Sequence, residues 1–170
     1  MTVPTYMETP AMLHKSHFCI VPPADRDAIA DALYRFGAGQ DLRDRPLFES
    51  AFAENASLDF TAVAAKLGAA IPAFEGRQVI ADTIMTATEP LDTTHTITNI
   101  RVTAYDGDHA SVTALIEAQH LPRGDHSRHL LLKNRLVVEF IRQDECWAIA
   151  RMVFDNAWRE GEATVLFPQR

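Results

Sequence analysis

Four polar residues stand where proton chemistry could use them. His95 sits in the middle of "DTTHTITN", residues 92 to 99, a run of Thr and Ile whose β-branched side chains suit a pleated strand. His120 closes a second alternating run. One face there reads Ala110, Val112, Ala114, Ile116, Ala118 and His120, so an imidazole joins an otherwise apolar surface. Asn134 does the same in "HLLLKNRLVVEFIR", on the face shared by Leu130, Leu132, Leu136, Val138 and Phe140. Asp41 falls in "GAGQDLRD", where two preceding glycines let the chain turn and aim a short carboxylate. His95 shares its face with Ile97, Asn99 and Arg101, a mixed set that periodicity does not assign.

Histidine is the commonest general base, and a carboxylate on one imidazole nitrogen fixes the tautomer and raises the basicity of the other. Buried imidazoles and amides need partners, and several of them converging in an apolar cavity mark a small-molecule site. Each residue also has a plainer reading. An inward histidine on a strand can be a satisfied structural group, and Asp41 can simply stop or cap a helix. His14, His17, His109, His126 and His129 fall in an arm, a turn or a polar loop and read as solvated.

These side chains need elements to hold them. "PPADRDAIADALYRFGAGQD" opens with prolines and carries Ile29, Leu33 and Phe36 at helical spacing, with Gly37 and Gly39 expected to end the helix. "DLRDRPLFESAFA" reads as a shorter helix capped by Asp44, with Pro46 in its first turn. "ASLDFTAV" reads as a short strand, "AAKLGAAIPAF" as a loop, and "EGRQVIADTIMTAT" as a third helix with Val79, Ile80 and Ile84 on one face. After Pro90 four long strands follow: "TTHTITNIRVTAY", "HASVTALIEAQHLP", "HLLLKNRLVVEFIR" and "CWAIARMVFDNAW". The first two are joined by the hairpin signal "DGD". The expected fold class is α+β: three N-terminal helices packed on a curved antiparallel sheet that forms a conical pocket. Residues 1–22 read as an N-terminal arm, 23–162 as one domain and 163–170 as a C-terminal tail.

Bulk properties bound the function. A chain of 170 residues suits one domain with a real core. A net charge of −7 and the lack of any Lys/Arg run speak against nucleic acid. Cys19 and Cys146 have no metal-type spacing, and the expectation is a reducing, cytoplasmic setting with no metal and no cofactor. No apolar stretch is long enough to span a bilayer, and the N-terminus is a poor signal peptide, its apolar run broken by Lys15 and His17. The outward sheet face carries Leu115, Val137, Ile141, Ile149 and Val153, which points to a homodimer or homotrimer.

The segments "GAGQDLRD", "LDF", "LDTTHTITN", "EAQHLPRG" and "ECWAIARMVF" together carry a resemblance. From about residue 23 to 162 the chain resembles the SnoaL-like branch of the nuclear transport factor 2-like (cystatin-like α+β) superfamily, and within it the scytalone dehydratases. Lindane dehydrochlorinase and bile acid dehydratase belong to the same broad group. The resemblance implies a cofactor-free lyase in which Asp41 orients His95, the general base. His120, Asn134 or a water would then stabilise the developing oxyanion or protonate the leaving hydroxide. Gln40 and Phe60 stand where the dehydratases present two tyrosines, which shifts the substrate away from scytalone. The implied substrate is a hydrophobic ring-type small molecule lying among Phe36, Gln40, Phe60, Val112, Ile116, Leu132, Asn134, Leu136 and Phe154. The rival readings are an isomerase or cyclase using the same base, a scaffold like the β subunit of a ring-hydroxylating dioxygenase, or a plain ligand-binding protein.

Overall fold

A computed structural model describes residues 19–167. The arm read over residues 1–22, with His14 and His17, lies almost wholly outside the described residues, as does the end of the tail. Helix α1 (Pro23–Asp41) begins at paired prolines and buries Ile29, Leu33 and Phe36 completely or nearly so. Helix α2 (Arg45–Ser50) follows at once. Its N-cap Asp44 accepts the Leu47 N–H at 3.0 Å. Strand β1 (Phe52–Asp59) then leads into helix α3 (Thr61–Lys66), whose first N–H and hydroxyl, both on Thr61, donate to Asp59. A two-residue strand β2 (Phe74–Glu75) and helix α4 (Arg77–Thr88) complete the first half. Strands β3 (Leu91–Tyr105), β4 (His109–Pro122), β5 (Leu130–Gln143) and β6 (Cys146–Gly161) form the antiparallel meander, and a single 3₁₀ turn (Ala163–Val165) follows.

The six strands run in the order β2-β1-β6-β5-β4-β3. The sheet is therefore not wholly antiparallel, since β1 lies parallel to β6. Register shifts interrupt the ladders between Thr98 and Arg101, between Lys133 and Asn134, and between Glu139 and Phe140. Each inserts an unpaired residue that bends its strand, and together they curl the sheet around the helices.

Several expectations need correction. Gly37 and Gly39 lie inside α1 rather than ending it. They are there for contact: a Cβ on Gly39 would stand 2.6 Å from the backbone of Phe48, so α2 can pack against α1 only where a side chain is missing. Strand β1 starts and ends four residues earlier than expected, and part of the expected strand and loop is α3, so four helices face the sheet. Asn99 and Arg101 do not share the His95 face. Asn99 adopts a left-handed φ of 55° in the bulge, which swings both residues outward and turns Ile100 toward the core. Ile149 is fully buried rather than outward, because the Glu139/Phe140 shift pairs it with Phe140. Val79 is half exposed.

Helix α1 is fastened at both ends. Near its start Asp25 accepts from the Tyr105 hydroxyl, from Arg142 Nη2 at 2.7 Å and from Trp147 Nε1 at 3.2 Å, while the Arg142 guanidinium lies 4.7 Å from the Trp147 ring centroid. These bonds, the tyrosine's first, hold the Asp25 carboxyl down at about 2. Its last residue is Asp41.

Candidate active site

The Asp41 carboxylate meets β3 through both of its oxygens. Oδ1 accepts from His95 Nδ1 at 2.6 Å and from the Thr93 hydroxyl at 2.9 Å, and Oδ2 accepts from the His95 backbone N–H at 2.8 Å. A carboxylate only accepts, so Nδ1 carries a proton, and in the neutral imidazole the lone pair is on Nε2. Burial raises the Asp41 carboxyl, but the hydrogen bonds and charge of His95, with the Thr93 hydroxyl, outweigh it and hold the group below its ordinary value. Thr93 and His95 are neighbours on one strand face, so one strand supplies the base and its partner's second donor.

His95 Nε2 opens on a cavity of about 260 Å³, at the small end for ligand pockets and suited to one or two fused rings. Phe36, Phe60, Phe154, Ile116, Leu132 and Gln40 line it, as do His95, His120 and Asn134. Phe60 and Phe154 stack with centroids 4.0 Å apart, making one flat aromatic wall. Phe36 meets His95 edge-on at 6.3 Å and is backed by Phe48 and Phe52. The Gln40 amide donates to Phe36 O at 3.2 Å.

His120 stands perpendicular to His95, with centroids 6.0 Å apart. Its Nδ1 lies 3.3 Å from Leu130 O. A carbonyl cannot donate, so Nδ1 holds the proton and Nε2 is an acceptor. Burial above all, and then the neighbouring His95, push the His120 pKa down to about 4. At neutral pH His120 is therefore an uncharged acceptor, unsuited to protonating a leaving group.

Val112 and Leu136, expected on the pocket wall, are buried in the core but do not line the cavity. In the β4–β5 ladder Leu136 lies one row and Val112 two rows beyond the Ile116–Asn134 row, on the side away from His120. The walls also include residues the pattern missed: Val63 and Ala64 of α3, Ile71 and Phe74 beyond it, and Leu166 and Phe167 after the 3₁₀ turn. The C-terminal segment read as a tail thus forms part of the wall. Among the described residues, no three His, Cys, Asp or Glu side chains gather as a metal site would require, and no helix is long and apolar enough to cross a membrane.

The sequence that folds into this curled sheet and its helices matches a known family. The SnoaL-like domain family matches residues 23–153, and the chain belongs to it. The chain is 31% identical over 148 residues to terrestric acid biosynthesis cluster protein E of Penicillium crustosum, covering 84% of this chain and 89% of that protein. A candidate aromatic ring hydroxylase from Novosphingobium aromaticivorans superposes with a TM-score of 0.73 at 23% identity, covering 84% of this chain and 96% of the other. A candidate scytalone dehydratase from the same organism gives 0.70 at 14% identity, covering 81% and 87%. A type 2 hexachlorocyclohexane dehydrochlorinase gives 0.69 at 19% identity, covering 86% and 94%. At these identities the structural matches establish the cystatin-like α+β fold.

Proposed function

We propose that the protein is a cofactor-free lyase that eliminates water from a neutral, one- or two-ring hydroxy-carbonyl compound. The observation that carries this reading is the Asp41–His95 pair, bonded at 2.6 Å on one imidazole nitrogen while the other opens on an apolar cavity. Neutral His95 takes the proton from the carbon beside the carbonyl. The C–H electrons form the new C=C bond, the C–O bond breaks, and the hydroxide leaves with the proton returned from His95 as water. Asp41 holds the tautomer and stabilises the imidazolium. Asn134 donates to the carbonyl oxygen as negative charge develops. A positioned base supplies roughly 10²–10⁴-fold, which suits a carbon already activated by a carbonyl.

The family and the fold, shared with proteins named as a dehydratase and a dehydrochlorinase, support an enzyme that begins by abstracting a proton. The relative from a biosynthesis cluster supports a small-molecule substrate. A scaffold has no use for an imidazole locked in one tautomer above a cavity. The test uses 3-hydroxy-1-tetralone, whose dehydration gives fluorescent 1-naphthol. The expected outcome is naphthol formation that His95→Ala abolishes. A rearranged ketone as product would turn the reading to an isomerase. Tight binding of this ketone and its analogues with no turnover would turn it to a binding protein.

A further inference from the structure

Asn134, which lines the cavity, is paired with a second buried amide, Asn156, that has no part in the proton transfer. Asn134 of β5 and Asn156 of β6 face each other across the ladder, beside the Lys133/Asn134 bulge, and are 1% and 7% exposed. Asn156 Nδ2 donates to Trp158 O at 3.0 Å, to Lys133 O at 3.4 Å and to Asn134 Oδ1 at 2.8 Å. Two of these acceptors are backbone carbonyls. A half-turn of the Asn156 amide would set its oxygen against both, so the backbone fixes which way that amide points. The Asn134 atom that meets Nδ2 must then be its oxygen.

That leaves Asn134 Nδ2 on the other branch of its amide, where it donates to nothing among the described residues. No side-chain nitrogen or oxygen of the described residues is both sealed off and unpaired. Asn134 lines the cavity, so its N–H group is reached from there. We infer that Asn156 is a positioning residue: it locks the Asn134 amide with its donor toward the cavity, so the site selects neutral ring ligands carrying a carbonyl or similar acceptor at that end.

The sheet register adds the opposite pole. His95 pairs with Ala118, which pairs with Leu132, making one row across three strands. His120 lies one row to one side, opposite Leu130, and Asn134 one row to the other, opposite Ile116. Each row is two residues along a strand, about 7 Å. The base thus sits between an acceptor, His120 Nε2, and a donor, Asn134 Nδ2. Among the described residues no Lys, Arg, Asp or Glu lines the cavity, so a charged ligand group would find no counter-ion among them. The ligand that satisfies all three rows is uncharged, with a hydroxyl toward His120 and a carbonyl toward Asn134. This deepens the proposed reading and rests on its placement of the substrate in this cavity.

The test is a binding measurement, independent of turnover. Calorimetry compares 1-tetralone with tetralin, the same skeleton without the oxygen. The protein should favour the ketone by about tenfold, the value of one satisfied hydrogen bond in place of an unpaired buried donor. In Asn156→Ala and Asn156→Val the ketone preference should fall toward unity while tetralin binds as before. A merely structural role for Asn156 would weaken both compounds together. Asn134→Leu, which leaves Asn156 bonded to Trp158 and Lys133, should also lose the preference. Ketone and hydrocarbon binding equally to the unmodified protein, neither of them binding, or a preference that survives in the Asn156 variants, would each overturn the inference. A preserved pattern of preference without turnover would leave it standing and reject only the lyase.

Discussion

Gly37 on α1 and His95 on β3 meet with no side chain between them: a methyl group on Gly37 would stand 3.1 Å from His95 Cβ. Asp41 lies four residues on, along the same helix face. The glycine sets how near the helix can come to the strand, and that approach lets one carboxylate reach both the ring and the backbone N–H of His95.

Gly37→Ala should therefore separate stability from activity. Alanine gains about 1 kcal/mol in helix propensity over glycine. Crowding against His95 costs about 1–3 kcal/mol. The two nearly offset, so the melting temperature should move by only a few degrees. A base displaced by a fraction of an ångström should nonetheless lose tenfold or more in kcat/KM. A variant with full activity would show that the close approach is incidental.

Much of this site was legible because it lies on strands. The period of two placed His120 and Asn134 inward, and both are buried beside the apolar residues of their faces. The helical spacing of Ile29, Leu33 and Phe36 likewise gave the buried face of α1. Asp41, His95 and His120 were brought together by resemblance, because no local pattern reports that the end of a helix meets a strand more than fifty residues later. The failures have physical sources. Bulges break the period, and Asn99, Arg101 and Ile149 change faces across them. Glycine reads as a helix stop when only local propensity is weighed, whereas Gly37 and Gly39 answer to tertiary contact. Asn156 was invisible because its role depends on two backbone carbonyls.

His120 should make stability depend on pH. Its pKa is about 4 in the folded protein against an ordinary 6.5. Between those values the unfolded chain takes up a proton that the folded chain refuses, so stability falls as pH drops from about 6.5 to about 4. The full difference is about 3 kcal/mol. His120→Gln can still donate to Leu130 O and does not titrate. Its stability, followed by urea denaturation, should lose less than the unmodified protein over that window. Parallel curves for the two proteins would show that His120 is not the group responsible.

The convex face of the sheet carries Val137, half exposed, beside Thr113 and Val153 on the flanking strands, with Trp158 also half exposed on β6. We propose that a second copy of the chain covers this face, as a homodimer or homotrimer. Light scattering at micromolar concentration should give a multiple of the 18.9 kDa chain mass. Val137→Glu should lower that mass and leave the cavity's ligand binding intact. A monomeric mass for the unmodified protein would reject the assembly.

The tautomer of His95 depends on the carboxylate of Asp41. His95→Ala removes the base and should lower kcat about 10²–10⁴-fold, with the residual rate left to the cavity and its donor. Asp41 can be tested more sharply by comparing two substitutions. In Asp41→Asn the amide must still satisfy the His95 backbone N–H, which can only donate, so its oxygen turns there. Its Nδ2 then faces the ring and forces Nδ1 to accept, which moves the imidazole proton to Nε2 and leaves no lone pair in the cavity. Asp41→Ala removes the partner altogether, and some of the rings keep Nε2 free. Asp41→Asn should therefore be the slower of the two, although it is the more conservative change. Added to His95→Ala, either substitution should cost little more, because the pair works as one unit. The tautomer is read directly from ring ¹⁵N shifts of His95: Nδ1–H in the unmodified protein, Nε2–H in Asp41→Asn. An Asp41→Asn protein that is faster than Asp41→Ala, or that keeps the Nδ1–H tautomer, would show that the carboxylate does not set the base.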